Sequence, residues 1–289
     1  MNSTYSQGLL DGLIDYAGLF PPASLDLATV VANYASYRQG PRRPLLGRLV
    51  VPAARVSELI SYLPAGITSP WELSVLVGRD VAAGVATLRR ALAGRSDLVV
   101  TALEAIAEEP TDFAVKVDEG WEVFYEIDHR QDPRELIAAA AGHRRAVKIR
   151  TGGVVPDAIP QRSEVARFLT ACRDQQVAFK ATAGLHHPFP GSYALTYEEG
   201  SDRAVMHGFV NVFFAAALLW HRRIDEAGVA DLLAQSGSPT WSEAAGRLDW
   251  QSWSLGEAEL AEARQHFARS FGSCSFTEPI ESLERSGLL

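Results

Sequence analysis

Cysteine is scarce in this chain of 289 residues, which contains only Cys172 and Cys274. The two lie far apart, and neither has a neighbour at the spacing of a metal-binding pair, so the sequence supports neither a disulfide framework nor a zinc finger. The surroundings of Cys274, FGSCSF, supply no activating base. We therefore expect a packed structural cysteine at this position rather than a reactive thiol.

Long apolar runs and clusters of positive charge are also missing. The longest apolar run, 209–220, includes Asn211 and is shorter than the roughly 20 residues that cross a bilayer. Basic residues form no run longer than a pair of arginines and the formal net charge is −8, so we expect neither nucleic acid nor a membrane as partner. The first twenty residues include Asp11 and Asp15 and lack a basic leader, which predicts a cytoplasmic protein.

Short apolar runs recur along the chain, and helical segments follow most of them. The runs, which are rich in β-branched and aromatic residues and predict strands, begin near Leu13, Leu46, Glu72, Asp97, Glu122, Ala146, Val177 and Ala204. Helical periodicity occurs over 25–37, 54–63, 81–92, 133–141, 163–175 and 211–222. The eighth strand is the least distinct, because the apolar stretch after Ala204 also suits a helix almost throughout.

Strands that alternate with helices at this spacing are typical of a parallel sheet. Eight such units without a glycine-rich dinucleotide fingerprint favour a closed (β/α)8, or TIM, barrel over an open doubly wound sheet. We predict that this barrel is formed by residues 1–223. After residue 223 the pattern changes to helices, so we predict a C-terminal helical extension over 224–289 that packs on the same domain. This extension either closes one end of the barrel or makes a contact in a homo-oligomer, and the sequence leaves both open.

Three neighbouring strands carry polar residues on the face that points into the predicted barrel. Alternation of side chains along each strand places there Glu126, Asp128, Lys148, Arg150, Lys180 and Thr182. Active sites of such barrels lie at the C-terminal ends of the strands. Because a charge buried alone is costly, these residues require either partners or a function.

Two hypotheses explain the inward charges. One is a structural ion network across strands five, six and seven. The other is a nucleophilic lysine, because a second cation nearby and a low dielectric both lower the pKa of an amine and produce the free base that condenses with a carbonyl carbon. Lys148 and Lys180, on adjacent strands, have this arrangement.

The segments VKIRTGG and FKATAG resemble the two lysine motifs of class I deoxyribose-phosphate aldolases, Lys-x-x-Thr-Gly after strand six and Lys-Ala-Ser-Gly-Gly after strand seven. The first motif is matched by Lys148, Thr151 and Gly152. The second is matched by Lys180, Ala181 and Gly184, with Thr182 in place of serine. The resemblance implies a barrel enzyme of the aldolase type.

The first and fifth strands extend this resemblance. LIDYAGLFPPASLDL is similar to the opening strand of the family, in which an aspartate at the position of Asp15 approaches the strand-seven lysine, and Glu126 lies where the family tends to carry glutamate. The resemblance implies that Lys148 forms a Schiff base with a small aldehyde or ketone and that Lys180 lowers its pKa. Glu126 is expected to orient the lysines, and Asp15, Asp128 or a histidine to move protons.

The sequence departs from the family at two places. The strand-four aspartate has no secure counterpart, since Asp97 begins that strand and Glu104 ends it. The glycine-rich phosphate site is replaced by AGLHHPFPG and MHGFVN. We therefore expect a substrate that is carboxylated or hydroxylated rather than phosphorylated.

Cationic and titratable side chains replace the phosphate site at the predicted mouth. They are Arg150, His186, His187 and His207, with Thr182 beside them. Arg150 suits bidentate binding of a carboxylate and would help Lys180 to lower the pKa of Lys148, and a histidine suits general acid–base work.

Two other classes of function fit the same residues. Glu126, His186 and His187 are ligands that suit a divalent metal such as Zn or Mn, which would make the protein a metal-dependent lyase, isomerase or hydrolase. Alternatively, the charges are structural and the barrel binds a ligand without catalysis. The Schiff-base enzyme, which needs no cofactor, is the interpretation that the lysine motifs favour.

Overall fold

The computed structural model describes residues 5–117 and 120–289. Numbered along the chain, its strands are β1 (Ile14–Tyr16), β2 (Leu46–Pro52), β3 (Trp71–Gly78), β4 (Leu98–Ile106), β5 (Glu122–Ile127), β6 (Ala146–Arg150), β7 (Phe179–Thr182), β8 (Gly191–Ala194), β9 (Arg203–Met206), β10 (Thr240–Ser242), β11 (Arg247–Trp250), β12 (Trp253–Gly256) and β13 (Ala268–Ser273). Its helices are α1 (Gln7–Leu10), α2 (Leu27–Gln39), α3 (Val56–Tyr62), α4 (Val81–Ala91), α5 (Arg134–Gly142), α6 (Arg162–Asp174), α7 (Phe209–Trp220), α8 (Glu226–Leu232), α9 (Glu257–His266) and α10 (Thr277–Ser286). The six predicted helices are confirmed as α2 to α7, within two residues at each end.

Eight parallel strands close into a barrel, which confirms the predicted TIM-barrel fold. Their order around the barrel is β1, β13, β7, β6, β5, β4, β3 and β2, and β2 pairs with β1 to complete the ring. Seven of these strands are the ones that the sequence predicted. After β4 a short 3-10 segment, Pro110–Ala114, takes the place of the crossover helix.

The eighth strand predicted from the sequence is wrong. The stretch near Ala204 forms β9, which pairs antiparallel with β8 in a separate hairpin. The barrel is completed by β13 between β1 and β7, so a barrel limited to residues 1–223 would lack its last strand. The region after residue 223 is also not purely helical, because β10, β11 and β12 form a small antiparallel sheet in it.

A physical reason for this error lies in α7. Ten of its twelve residues are apolar and buried, so the helix has no polar face and its apolar run lacks a clear helical period. The true closing strand, ARSFGS, contains arginine, glycine and two serines and therefore has little strand propensity. Its pairing partners lie far away in sequence, and only the closed barrel selects it.

The apolar core lies mainly between the barrel and the surrounding helices, whereas the barrel interior contains a small apolar layer and then charges. The interior layer consists of Ala102, Phe124 and Ala146, with Ala178 packed against it. Towards the C-terminal ends of the strands, Glu126, Lys148 and Lys180 occupy paired positions on β5, β6 and β7. The fold thus places charged side chains at the end of the barrel where active sites of this architecture lie.

Among the described residues, no helix combines the length and the apolar character needed to cross a bilayer. Side-chain caps begin several helices: Asp26 accepts from the backbone N–H of Thr29 in α2, and Asp80 accepts from that of Ala83 in α4.

The position of the closing strand can be tested with two substitutions. Phe271 in β13 is fully buried and stacks on Phe209 of α7, with ring centroids 5.1 Å apart. We expect Phe271→Ala to lower the free energy of unfolding by about 3–5 kcal/mol, because it leaves a cavity between barrel and helix. Val205→Ala in the exposed strand β9 should change it by less than about 0.5 kcal/mol. Urea denaturation measures both, and equal effects would contradict the assigned topology.

Candidate active site

An alternating chain of charges fills the C-terminal half of the barrel. The Nζ of Lys180 lies 2.7 Å from Oδ2 of Asp15 and 2.7 Å from Oε1 of Glu104. The Nζ of Lys148 lies 2.8 Å from Oε2 of Glu104 and 2.9 Å from Oε2 of Glu126. Three carboxylates thus alternate with two ammonium groups, which we call the ion chain.

Hydrogen bonds from the barrel wall support the two buried carboxylates of the ion chain. Ser74 on β3 donates to Glu104, and Ser270 on β13 donates to Asp15. The backbone N–H of Arg48 donates to the second oxygen of Asp15 at 2.8 Å. Because a charge in the interior is tolerated only when its hydrogen-bonding capacity is met, these donors make the ion chain compatible with burial.

The carboxylates of the ion chain control the ionisation of Lys148. Burial alone would lower the pKa of Lys148, but Glu104 and Glu126 outweigh burial and raise it above its ordinary value. Burial likewise disfavours ionised Glu104, yet Lys148 and Lys180 hold the pKa of Glu104 well below its ordinary value. The expectation that Lys180 and Arg150 depress the pKa of Lys148 is therefore wrong in this structure, because the carboxylates dominate.

Only part of the ion chain faces an open cavity at the mouth of the barrel. This cavity, which we call the lysine cavity, has a volume of about 240 Å³. Its polar lining residues are Glu104, Glu126, Lys148, Arg150, Thr182, His186 and Cys274. Lys180 is fully buried behind it and lies 5.5 Å from the ring of Phe124. Lys148 is thus the lysine that a molecule in the cavity would meet.

The glycines of the two lysine motifs let the loops after β6 and β7 touch. A Cβ placed on Gly152 would lie 2.7 Å from the Cα of Gly184, and Gly184 has a φ of +73°. The hydroxyl of Thr151 accordingly donates across this contact to the carbonyl of Ala183 at 2.6 Å. Any side chain at Gly152 or Gly184 would push the loops apart at the rim of the lysine cavity.

The structure brings most of the predicted site residues together but leaves two of them elsewhere. Asp128 lies just beyond β5 at the surface, where it pairs with Arg130 at 2.8 Å. His207 is buried and its Nε2 lies 2.8 Å from the carbonyl oxygen of Pro160, on the wall of a different cavity. Burial lowers the pKa of His207, so the imidazole is neutral there. Neither residue belongs to the lysine cavity.

The adjacent histidines have different surroundings. His187 stacks on Tyr193 with ring centroids 3.5 Å apart, and burial lowers the pKa of His187 to about 4. His186 instead places Nδ1 2.9 Å from Oε2 of Glu278 and Nε2 4.0 Å from Sγ of Cys274. Both histidines line a second cavity of about 190 Å³, the histidine cavity, which adjoins the lysine cavity at His186.

Three important residues were missed by reasoning from sequence. Glu104 was noted only as the end of a strand, although a lone acidic residue in the apolar run of β4 is the same signal that identified Lys148. Cys274 was expected to be structural because its neighbours in sequence supply no base, and Glu278 carried no signal at all. Their partner His186 is distant in sequence, so only the fold could reveal the cluster.

The donor sets proposed for a metal are not arranged for one. In the described parts of the chain, no three His, Cys, Asp or Glu side chains are grouped so that they could hold a metal ion. Glu126 contacts Lys148 and His186 contacts Glu278, so the predicted ligands have other partners. The ammonium of Lys148 would also repel a dication at Glu126.

The ion chain predicts a large difference between two substitutions of basic residues. Lys180→Met would leave Asp15 and Glu104 buried with one cation fewer, and we expect it to lower the free energy of unfolding by about 3–5 kcal/mol. Arg130→Met removes the exposed partner of Asp128 and should have no measurable effect. Urea denaturation at pH 7 compares the two, and an unaltered Lys180→Met protein would contradict the energetic role of the ion chain.

The same contacts predict how stability depends on pH. The pKa of Glu104 is lowered by folding, so its contribution is present above its ordinary pKa of 4.5 and is lost as the pH falls through the folded value. The free energy of unfolding of the wild type should therefore exceed that of Glu104→Gln most near pH 7, and the difference should shrink below pH 4.5. A difference that stays constant across this range would contradict the assignment.

The chain matches no model of a known protein family. It also matches no curated protein and no solved structure. The similarity to the aldolases consequently depends on the two lysine motifs and the first strand. Of what this resemblance implies, the structure confirms the barrel fold.

Proposed function

We propose that this barrel is a lyase of the aldolase type, which forms an imine between Lys148 and a small carbonyl compound that carries a carboxylate or hydroxyl groups. The observation that carries the proposal is the position of Lys148, whose Nζ lies between two carboxylates on the wall of the lysine cavity. The two lysine motifs, by which the chain resembles class I deoxyribose-phosphate aldolases, favour the same chemistry.

The use of lysine in this chain supports an amine with a chemical role. Of the 27 basic residues only three are lysines, namely Lys116, Lys148 and Lys180. Two of them lie inside the barrel, whereas almost all surface cations are arginines. A guanidinium stays protonated in proteins, while an amine can lose its proton and act as a nucleophile. The ion chain therefore contains lysine in a protein that otherwise uses arginine for almost all of its cations.

The resting ammonium of Lys148 must lose a proton before it can attack a carbonyl carbon. Glu126 is the suitable acceptor, because its Oε2 lies 2.9 Å from Nζ and its side chain is partly open to the cavity. Transfer of the proton converts an ion pair into a neutral acid and a neutral amine, which becomes more favourable when a bound substrate displaces water from the cavity. Glu104 keeps its charge, since the proton of Lys180 remains beside it.

The guanidinium of Arg150 suggests how a substrate would trigger this transfer. Its Nη1 lies 3.9 Å from Oε1 of Glu126, and the side chain is half exposed at the mouth. A substrate carboxylate bound by Arg150 would place a second negative charge beside Glu126 and so favour transfer of the proton from Lys148 to Glu126. A carboxylated substrate therefore helps to produce the free amine of Lys148.

The following steps use the same residues. The amine of Lys148 adds to the carbonyl carbon, and the protonated Glu126 gives its proton to the departing hydroxyl, so that water leaves and an iminium forms. The bond between the α and β carbons then breaks: its electron pair moves towards the iminium to give an enamine, the β-hydroxyl loses its proton to the Glu126 carboxylate, and the β carbon leaves as an aldehyde. Protonation of the enamine and addition of water release the second product and the free amine of Lys148. Asp15 and Lys180 do not touch the substrate and act as positioning residues through Glu104.

Reductive trapping tests the proposal directly. The protein is treated with borohydride in the presence of 2-oxo acids, or of aldehydes and ketones without a carboxylate, and is then analysed by intact-mass spectrometry and peptide mapping. We expect one adduct per chain, on Lys148, with the 2-oxo acids reacting at lower concentration. Arg150→Gln should remove this preference for the carboxylate and leave the reaction with neutral aldehydes in place.

The chain offers a matched control for this experiment. Lys116 is exposed, so Lys116→Met should leave the adduct unchanged, whereas Lys148→Met should abolish it. Circular dichroism establishes that each variant is folded. Equal labelling of Lys116 and Lys148, or the absence of any lysine adduct across the panel on folded protein, would refute the imine mechanism.

A further inference from the structure

Cys274, His186 and Glu278 are brought together at the barrel mouth by two distant parts of the chain, the loop after β7 and the segment that joins β13 to α10. His186 follows β7, Cys274 directly follows β13, and Glu278 lies in the first turn of α10. We propose that these residues form a nucleophilic triad that performs acyl transfer to water from a small ester or thioester. This activity is separate from the imine chemistry proposed for Lys148 and does not depend on it.

The contacts within the cluster have the order of a nucleophile, a base and an orienting carboxylate. Nδ1 of His186 donates to Oε2 of Glu278 at 2.9 Å, which directs Nε2 towards Sγ of Cys274 at 4.0 Å. The hydroxyl of Tyr197 donates to the same oxygen of Glu278 at 2.9 Å and holds the carboxylate in place. The contact to sulfur is long, and such catalytic contacts commonly shorten when substrate is bound.

The surroundings of the cluster favour a thiolate at Cys274 and an imidazolium at His186. Burial opposes charge on both groups, but Cys274 and Glu278 raise the pKa of His186 to about 9, and His186, Tyr197 and the backbone N–H of Ala23 lower the pKa of Cys274. Other titratable groups nearby are Tyr16, His187 and Arg285. The other cysteine differs, since burial without a partner raises the pKa of Cys172 far above its ordinary value.

The two cavities beside the triad indicate the kind of substrate. Cys274 lines the lysine cavity, whereas Glu278 lines the histidine cavity and His186 lines both. The histidine cavity is lined by aromatic and apolar side chains, including Tyr193, Leu195 and Met206, together with the charged side chain of Arg203. At about 190 Å³ it suits a short aliphatic or a single aromatic acyl group.

Water is the only reactant that this acyl transfer needs besides the ester or thioester. The thiolate of Cys274 adds to the carbonyl carbon, and the bond to the leaving alcohol or thiol breaks as Nε2 of His186 supplies its proton. Water then attacks the thioester carbon while His186 accepts a proton from it, and the carbon–sulfur bond breaks to release the acid and the thiolate. Glu278 orients the imidazole throughout and stabilises its positive charge.

The test uses p-nitrophenyl acetate with the full-length protein. We expect release of p-nitrophenolate and, after acid quench, an acetyl group that peptide mapping places on Cys274. Cys274→Ser and His186→Gln should each slow the release by about 10²–10⁴-fold. Cys172→Ala is the matched control and should leave the rate unchanged. An acetyl group found on Lys148, or an undiminished rate in Cys274→Ser, would overturn the proposal.

Alkylation with iodoacetamide provides a second readout that needs no folded Cys274 variant. The rate of modification of Cys274 should rise with pH about a midpoint below its ordinary pKa of 9.0, while Cys172 stays unmodified in the folded protein. His186→Gln should move this midpoint upwards, because it removes the positive charge beside the sulfur. A midpoint at or above 9.0 in the wild type would refute the thiolate–imidazolium pair.

Discussion

The burial of opposite charges inside a closed barrel is the constraint on which the site depends. Lys180 has no exposed surface and is tolerated because Asp15 and Glu104 lie within 2.7 Å of its Nζ. Glu104 joins it to Lys148, which alone of the two lysines reaches the cavity. Removing any one member would leave its neighbours with one opposite charge fewer, so the ion chain controls both the ionisation and the position of Lys148.

Closure of the barrel by β13 explains why Lys148 and the cluster of Cys274, His186 and Glu278 lie at the same mouth of the barrel. Ser270 and Cys274 enter the site with this strand and the turn after it, and α10 brings Glu278. Had the barrel closed at the stretch near Ala204, Asp15 would lose a donor and His186 would lose both of its partners. The late part of the chain is therefore an integral wall of the site rather than an added cap.

Much of the fold was predictable, since seven barrel strands and six helices follow local patterns of apolar residues. Lys148 and Lys180 were also predictable, because charge on the inward face of an apolar strand is conspicuous. The closing strand was not, since ARSFGS has little local strand character and gains its pairing only from β1 and β7. The ionisation of Lys148 was likewise inaccessible, because it depends on how close Glu104 and Glu126 approach in space.

The sequence by itself determined the architecture up to its last strand and the identity of the two interior lysines, because periodicity and motif spacing are local properties of the chain. Only the tertiary structure decided which lysine faces the cavity, that Asp128 and His207 lie away from it, and that His186 meets Cys274 and Glu278. These outcomes depend on distances between residues far apart along the chain, and electrostatic interactions are set by those distances rather than by sequence order.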